Sequence, residues 1–339
     1  MALQKYIHKR PFPLENGAIL PTVEIAYHTY GELNATGDNV IWVCHALTAN
    51  SDVADWWSGL FGEEKPFDPA KYFIVCANIL GSCYGSSGPL SENPATGKPY
   101  FGSFPMVTIR DMVNAHRLLQ QHLGVKKIAL GMGGSMGGYQ LMEWAIADQN
   151  LFENLCLLVT SAKASAWEIA IHEAQRLAIE ADPTWKDETP NAGANGLKAA
   201  RGIGMLTYRN YHAFGQTQED NEEKLEGFKA TSYIRYQGEK LVKRFNAQSY
   251  VLLSKAMDSH NLGRGRTSVE NALSQIKANA LVIGVDSDIL CPTTEQEFIA
   301  THIPNGQLQV ISSPFGHDGF LVETATVSRL LTDFLKRKE

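Results

Sequence analysis

Three residue types, well separated in the 339-residue chain, could together break and remake an acyl bond: a serine, an aspartate and a histidine. The serine is Ser135, in Gly131-Met132-Gly133-Gly134-Ser135-Met136-Gly137-Gly138, where Gly133, Ser135 and Gly137 form G-x-S-x-G. An apolar run, Lys127 to Leu130, precedes it and a helical stretch, Tyr139 to Ala145, follows. Strand, sharp turn and helix in that order present a serine hydroxyl at a helix N-terminus, where backbone N–H groups favour a developing oxyanion. A dinucleotide-binding G-x-G-x-x-G needs glycine where Met136 stands, and no G-x-x-x-x-G-K-[ST] exists.

A serine needs a base, and a base on this kind of elbow comes last in the chain, after the acid. His317 lies in Ser313-Pro314-Phe315-Gly316-His317-Asp318-Gly319, between a strand-like run (Leu308 to Ile311) and a C-terminal helical pattern. The acid belongs on the loop after the run Leu281 to Val285, where both Asp286 and Asp288 are available. One would orient the imidazole and stabilise its charged form, while the other serves the turn. Spacing alone leaves the two open. The oxyanion donors are expected to be the N–H of Met136 and, from the loop His45-Ala46-Leu47-Thr48 after an early strand, that of Leu47. His45 reads as structural.

These loops need a scaffold. Val40–Cys44, Tyr72–Cys76, Lys127–Leu130, Leu155–Thr160, Ala280–Val285 and Leu308–Ile311 are short, nearly continuous apolar runs, as strands covered on both faces should be. Helical patterns at Arg110–Leu123, closed by Gly124, and at Val322–Arg337 alternate with them. The spacing therefore predicts an α/β fold with a mostly parallel sheet flanked by helices. From Ala164 to Asn271 the helical period dominates, which predicts a helical cap over 164–271 inserted in a core of 1–163 and 272–339. In its first helix Trp167, Ala170, Ala174, Leu177 and Ala178 share one face, and Asp182-Pro183 ends it. The run Gln216–Lys224 reads as a solvated turn or helix end.

Hydrophobic residues make up 44% and charged residues 19%, with a net charge of −6, which excludes a disordered chain and a nucleic-acid or anionic-membrane surface. No apolar run is long enough to span a bilayer, and the first ten residues carry no secretory pattern. Five scattered cysteines, with Cys44, Cys76 and Cys156 in apolar runs, predict free thiols in a reduced cytoplasmic protein. His172-Glu173 is followed by Arg176 where a zinc-binding H-E-x-x-H needs histidine, so no metal is expected. The pair Arg264 and Arg266 reads as a solvated loop, with a cofactor-phosphate contact as the alternative.

Taken together, the blocks His45–Thr48, Gly81–Pro89, Asn93–Tyr100, Phe104–Asp111, the serine elbow, Ala200-Arg201, Leu206–Arg209, Ser287-Asp288 and Gly316–Leu321 resemble the homoserine O-acyltransferase family along nearly the whole chain. The resemblance implies an α/β-hydrolase core with a helical lid, and it favours Asp288 over Asp286. It implies that Arg201, helped by Tyr208, binds a substrate carboxylate, that Asp318 holds an ammonium and that Thr48 lines the site. An amino-acid zwitterion does require one fixed cation and one fixed anion. It further implies acetyl transfer from acetyl-CoA to the L-homoserine side-chain hydroxyl through acyl-Ser135, for methionine biosynthesis, with no permanently bound cofactor and a homodimer formed through the lid. The chain departs from the family at Tyr139-Gln140-Leu141-Met142 and in its shorter cap. Succinyl transfer, a serine acceptor and plain ester or thioester hydrolysis remain as alternatives on the same machinery. A catalytically silent binding module is a weaker one.

Overall fold

The computed structural model describes residues 2–221 and 223–336. Eight strands form one sheet: β1 (Gln4–His8), β2 (Val23–Tyr30), β3 (Val40–Cys44), β4 (Phe73–Ala77), β5 (Ile128–Gly134), β6 (Phe152–Leu158), β7 (Asn279–Val285) and β8 (Gly306–Ile311). Their spatial order is β1-β2-β4-β3-β5-β6-β7-β8. The first two pairings are antiparallel and the remaining five parallel. Every residue of β3 and β4 is buried, as the unbroken apolar runs require.

Helices cover both faces. The principal ones are α1 (Ile109–His122), α2 (Met136–Ala147), α3 (Ala166–Glu180), α4 (Ala194–Tyr208), α5 (Tyr211–Gln218), α6 (Lys229–Val242), α7 (Ala247–Asp258), α8 (Thr293–His302) and α9 (Thr324–Lys336). Thr108 and Asp111 close a reciprocal capping box at the start of α1, and Ser165 and Glu168 do the same for α3. On one side of the sheet Trp57, Phe67, Phe320, Val327, Leu331 and Phe334 pack over β3–β7. On the other, α1 and α2 bury Met112, Leu119, Leu141 and Trp144.

Helices α3–α7 lie between β6 and β7 in the chain. Where this segment leaves and rejoins the sheet, its two ends are hydrogen-bonded together: Ala164 N–H donates to His260 O at 3.0 Å and Leu262 N–H to Ala162 O at 3.1 Å.

The structure adjusts several expectations. Each predicted strand forms, Val40–Cys44 with the expected bounds and the others with shifted ends: β5 runs on through Gly131–Gly134, where Leu141 and Phe152 leave no room for a side chain at Gly131. The elbow helix begins at Met136, not Tyr139. The C-terminal pattern splits into a short helix, Gly319–Val322, and α9; Arg337 lies outside the described residues. The shared face of α3 is turned outward. Trp167 and Leu177 are more than half exposed, while Glu168, His172, Gln175 and Arg176 are buried. His172 Nδ1 and Arg176 each lie 2.7 Å from an oxygen of Asp258, so these polar groups share the inward face with the buried Ile171 and Ile179.

Candidate active site

The parallel strands bring the three chemical residues to one edge of the sheet, because β5, β7 and β8 all end there. Ser135 follows β5 directly and takes the left-handed φ of 53° with ψ −125°. That conformation is costly for any residue with a Cβ, and it is held by its surroundings. Ser135 N–H donates to Leu158 O at 2.9 Å, and Thr160 Oγ1 donates to Ser135 O at 2.8 Å. A side chain at Gly137 would collide with the Cys44 carbonyl oxygen, and one at Gly134 with the Phe320 ring. The glycines of the motif are thus demanded by close approach on two sides.

Asp288 lies on the loop after β7 and His317 on the loop after β8. Asp288 Oδ2 accepts a hydrogen bond from His317 Nδ1 at 2.7 Å, and Asp288 Oδ1 accepts from the N–H groups of Leu290 and Cys291. Both side chains are buried. Burial by itself would lower the His317 pKa, but the charge and hydrogen bond of Asp288 outweigh it and raise the value above 6.5, with Asp318 and Glu168 adding to the rise. Asp286 accepts from Ser313 N–H at 3.2 Å and so braces the loop between β8 and His317, the turn role left for the second aspartate.

Ser135 and His317 line one cavity of about 450 Å³, together with Leu47, Thr48, Glu168, Arg201, Tyr208 and Asp318. The Ser135 hydroxyl makes no hydrogen bond among the described residues. Serine–histidine bonds commonly tighten only when the acyl group is in place. A larger cleft, about 760 Å³ along Tyr100–Phe104 and Trp185–Glu188, contains none of the three residues.

The loop carrying Leu47 reaches Ser135 because β3 pairs with β5, Cys44 opposite Gly133. Among the described residues the N–H groups of Leu47 and Met136 have no acceptor, although both residues are buried. Unpaired buried N–H groups are rare, and two beside a candidate nucleophile fit a preformed oxyanion site. His45 is fully buried, its Nδ1 bonded to Ala46 O at 2.9 Å and its Nε2 accepting from Ile79 N–H at 3.2 Å. It shapes the loop and does not reach the cavity.

Arg201 forms no ion pair among the described residues, and its guanidinium lies 5.6 Å from the centre of the Tyr208 ring. That ring in turn sits 5.9 Å from His317. Asp318 is not free: its Oδ2 is 3.1 Å from Arg209 Nε. The approach is off the N–H axis, so Arg209 Nε still lacks a hydrogen-bond partner, and Asp318 Oδ1 makes no hydrogen bond. Burial raises the Asp318 pKa, against the pull of Arg209, His317 and Arg201. Arg264 and Arg266 stand away from the cavity, paired to Glu15 and Glu143 at 2.8 and 2.7 Å.

Glu168 and Arg244 are among the cavity residues that were not singled out from sequence. Glu168 accepts from Tyr139 Oη at 2.6 Å and from Ser165 N–H at 2.9 Å. Its capping-box spacing from Ser165 is the signal that could have found it. Arg244, bonded to Thr48 O and to Tyr84 Oη, carries no such signal.

A parallel-sheet edge that presents a strained serine, a buried aspartate–histidine pair and two open N–H groups defines an α/β-hydrolase-fold acyl-transfer site. In agreement, residues 39–324 match the alpha/beta hydrolase fold family. Within that class the chain belongs to the homoserine O-acetyltransferase family. It is 52% identical to the homoserine O-acetyltransferase of Cyclobacterium marinum over 95% of this chain and 92% of that one. It is 46% identical to that of Chlorobium luteolum, over 98% and 93%. Its structure superposes on the homoserine O-acetyltransferase from Bacillus anthracis with a TM-score of 0.91 at 26% identity, covering 98% and 97%. Esterase E22 shares the fold at a TM-score of 0.88, 24% identity and 98% and 100% coverage.

Proposed function

We propose that the protein transfers an acetyl group from acetyl-CoA to the side-chain hydroxyl of L-homoserine through an acetyl-Ser135 intermediate. The single observation that carries this beyond acyl hydrolysis is Arg201, a cation without a carboxylate partner among the described residues, in the same cavity as Ser135 and His317. Hydrolysis of a neutral ester needs no such charge, whereas a guanidinium holds an amino-acid carboxylate with two parallel charge-assisted bonds.

The thioester carbonyl oxygen lies at the Leu47 and Met136 N–H groups. His317 takes the Ser135 proton as Oγ attacks, and Asp288 stabilises the imidazolium. Collapse of the tetrahedral intermediate expels the CoA thiolate, which takes that proton from His317. Homoserine then binds, its carboxylate on Arg201 beside Tyr208 and its ammonium at the free oxygen of Asp318, with Thr48 on the wall. His317 deprotonates the homoserine hydroxyl, which attacks the acyl-enzyme, and Ser135 is released reprotonated. O-acetyl-L-homoserine, an activated ester, suits a following displacement that builds a sulfur amino acid, as in methionine synthesis.

We assign helices α3–α7 as a lid, since they bring Glu168, Arg201 and Tyr208 over the serine and so exclude water from the acyl-enzyme. The outward apolar face of α3, with Trp167 and Leu177, supports a homodimer joined through that lid. No helix among the described residues is long and apolar enough to cross a membrane, and the five cysteines are unpaired, which supports a cytoplasmic site of action.

Free thiol released from acetyl-CoA, measured with and without L-homoserine, tests the reading. Release that requires homoserine, fails with Ser135→Ala and is weak with succinyl-CoA is expected. Equal release without an acceptor would make the protein a thioesterase.

A further inference from the structure

Two N–H groups on different segments must sit at a fixed spacing to share one oxyanion, and nothing covalent near the site sets that spacing. Leu47 belongs to the loop after β3, and Met136 begins α2. One buried side chain touches both segments. Gln140 Nε2 donates to Met136 O at 3.1 Å and to His45 O at 3.3 Å. Its Oε1 meets His116 Nε2 at 2.9 Å. Gln140 is fully buried, so no water competes for these bonds.

The orientation of the amide is forced. Two carbonyl oxygens can only accept, so the NH2 must face them and the Oε1 must face His116. His116 Nε2 therefore carries the proton. Its Nδ1 is left without a partner, and the ring stacks on Trp144 with centroids 5.8 Å apart. Both amide hydrogens are consumed, one on each segment. The two segments also meet where Gly137 lies against the Cys44 carbonyl, so Gln140 fastens a contact that is already close.

We propose that Gln140, oriented by His116, is a positioning residue that sets the separation of the Leu47 and Met136 N–H groups and so tunes the oxyanion site. The inference rests on the acyl-Ser135 reading. Gln140 does not line the cavity, so its effect must appear in the barrier to forming the tetrahedral anion and not in binding of the donor. A glutamine at this position is also more than filler: an apolar side chain of similar length would fill the space yet leave the two carbonyls unbridged.

The test is Gln140→Met, close in volume to the native residue. Acylation is followed by the burst of p-nitrophenol from p-nitrophenyl acetate, which needs Ser135 and the oxyanion site but no homoserine. Alongside, KM for acetyl-CoA, the thermal midpoint and the affinity of a boronic acid that forms a tetrahedral anion on Ser135 are measured. The expected result is acylation slower by about 30-fold and boronate binding weaker by about tenfold, the scale of a misplaced oxyanion donor. KM is expected within about twofold of the original. Where Gln140→Met fails to accumulate as folded protein, His116→Phe is read the same way, with a several-fold loss expected because the buried Oε1 then lacks its donor and the side chain shifts from its two carbonyls. A folded variant with an unchanged burst and unchanged boronate affinity overturns the proposal. So does a rate loss that merely follows a rise in KM. Absence of any burst from the native protein would instead overturn the acyl-Ser135 reading itself.

Discussion

Asp288 divides its carboxylate between two tasks: Oδ2 holds His317 Nδ1 at 2.7 Å, while Oδ1 is held by the N–H groups of Leu290 and Cys291. The aspartate is thereby fixed before it fixes the histidine. In the proposed mechanism His317 must be neutral to accept the serine proton, and its pKa is raised above 6.5, so activity should fall on the acid side from a point above that value. Asp288→Asn removes the largest raising influence. The acid limb of kcat/KM should move to lower pH while the rate at its plateau drops by about 10³ to 10⁴, since the histidine loses its orientation. A pH–rate profile of both proteins checks this; an unmoved limb would assign the titration to another group.

Arg201→Ala should separate the two half-reactions. Donor-side acylation, read as the p-nitrophenyl acetate burst, should change by less than about threefold, whereas KM for homoserine rises by about 10- to 100-fold with loss of a charged hydrogen bond. Arg201→Lys should recover only part, because a point charge cannot match a carboxylate with two parallel bonds. An acceptor KM unaffected by either change would remove Arg201 from the substrate site.

Gly137→Ala should abolish activity and lower the thermal midpoint, since the new Cβ strikes the Cys44 carbonyl oxygen, part of the rigid β3 backbone. Gly215→Ala is the matched control: a Cβ there would meet nothing within 4 Å, and a slight stabilisation is expected in a helix. Thermal melts of the pair provide the comparison.

A stability determinant lies outside the cavity lining. Glu143 is buried and faces Arg110 at 3.1 Å and Arg266 at 2.7 Å. Glu143→Leu takes the anion from Arg266 and leaves Arg110 only Glu15, and should cost about 2 to 3 kcal/mol, because breaking a buried pair is far worse than never having had one. Urea denaturation reads the loss; a cost under about 1 kcal/mol would mean that water replaces the carboxylate.

Acid should also weaken the fold itself. Burial pushes His45 and His116 down to about 4 and His260 down to about 3. Once unfolded they would bind protons near 6.5, so between about 6.5 and 4 the unfolded chain takes up more protons and stability falls as pH falls. His317 opposes this: its raised value contributes stability below 6.5 that is lost as pH rises through its folded value. Among the histidines four depressed groups, His28 included, outweigh one raised group, so the urea midpoint should decline steadily from pH 7 to pH 4.5. A flat midpoint would contradict the burial of these rings.

How much of this was legible in sequence follows from what the chemistry constrains. Ser135 and His317 were readable because a strained elbow admits few residue types and chain order restricts the base. Strands β3–β7 were readable because both faces are covered and the composition has no choice, whereas β8 is a mostly exposed edge strand that the run Leu308–Ile311 marked without the double burial expected of it. The antiparallel strands β1 and β2 were not: Gln4–His8 is an edge strand that lies mostly exposed, with no apolar run to mark it. The face of α3 was misleading for a specific reason. Glu168, His172 and Arg176 find partners on Tyr139 and Asp258, residues distant in the chain, and periodicity cannot foresee such pairings. Arg209 stood inside a recognisable block, but its approach to Asp318 depends on where α4 ends against the loop after β8.

The two hydrogen bonds that join Ala164 to His260 and Ala162 to Leu262 have a consequence for how such proteins diversify. They make residues 165–259 a cassette with adjacent ends, plugged into a sheet that is already closed beneath it. A sheet built this way can exchange one cassette for another without relearning its own register, and the nucleophile, acid and base would all stay behind. On the acyl-Ser135 reading, holding an acceptor and cutting an acyl bond then fall to separate parts of the chain, so side chains of the cassette such as Arg201 can vary while the three loops at the sheet edge stay as they are.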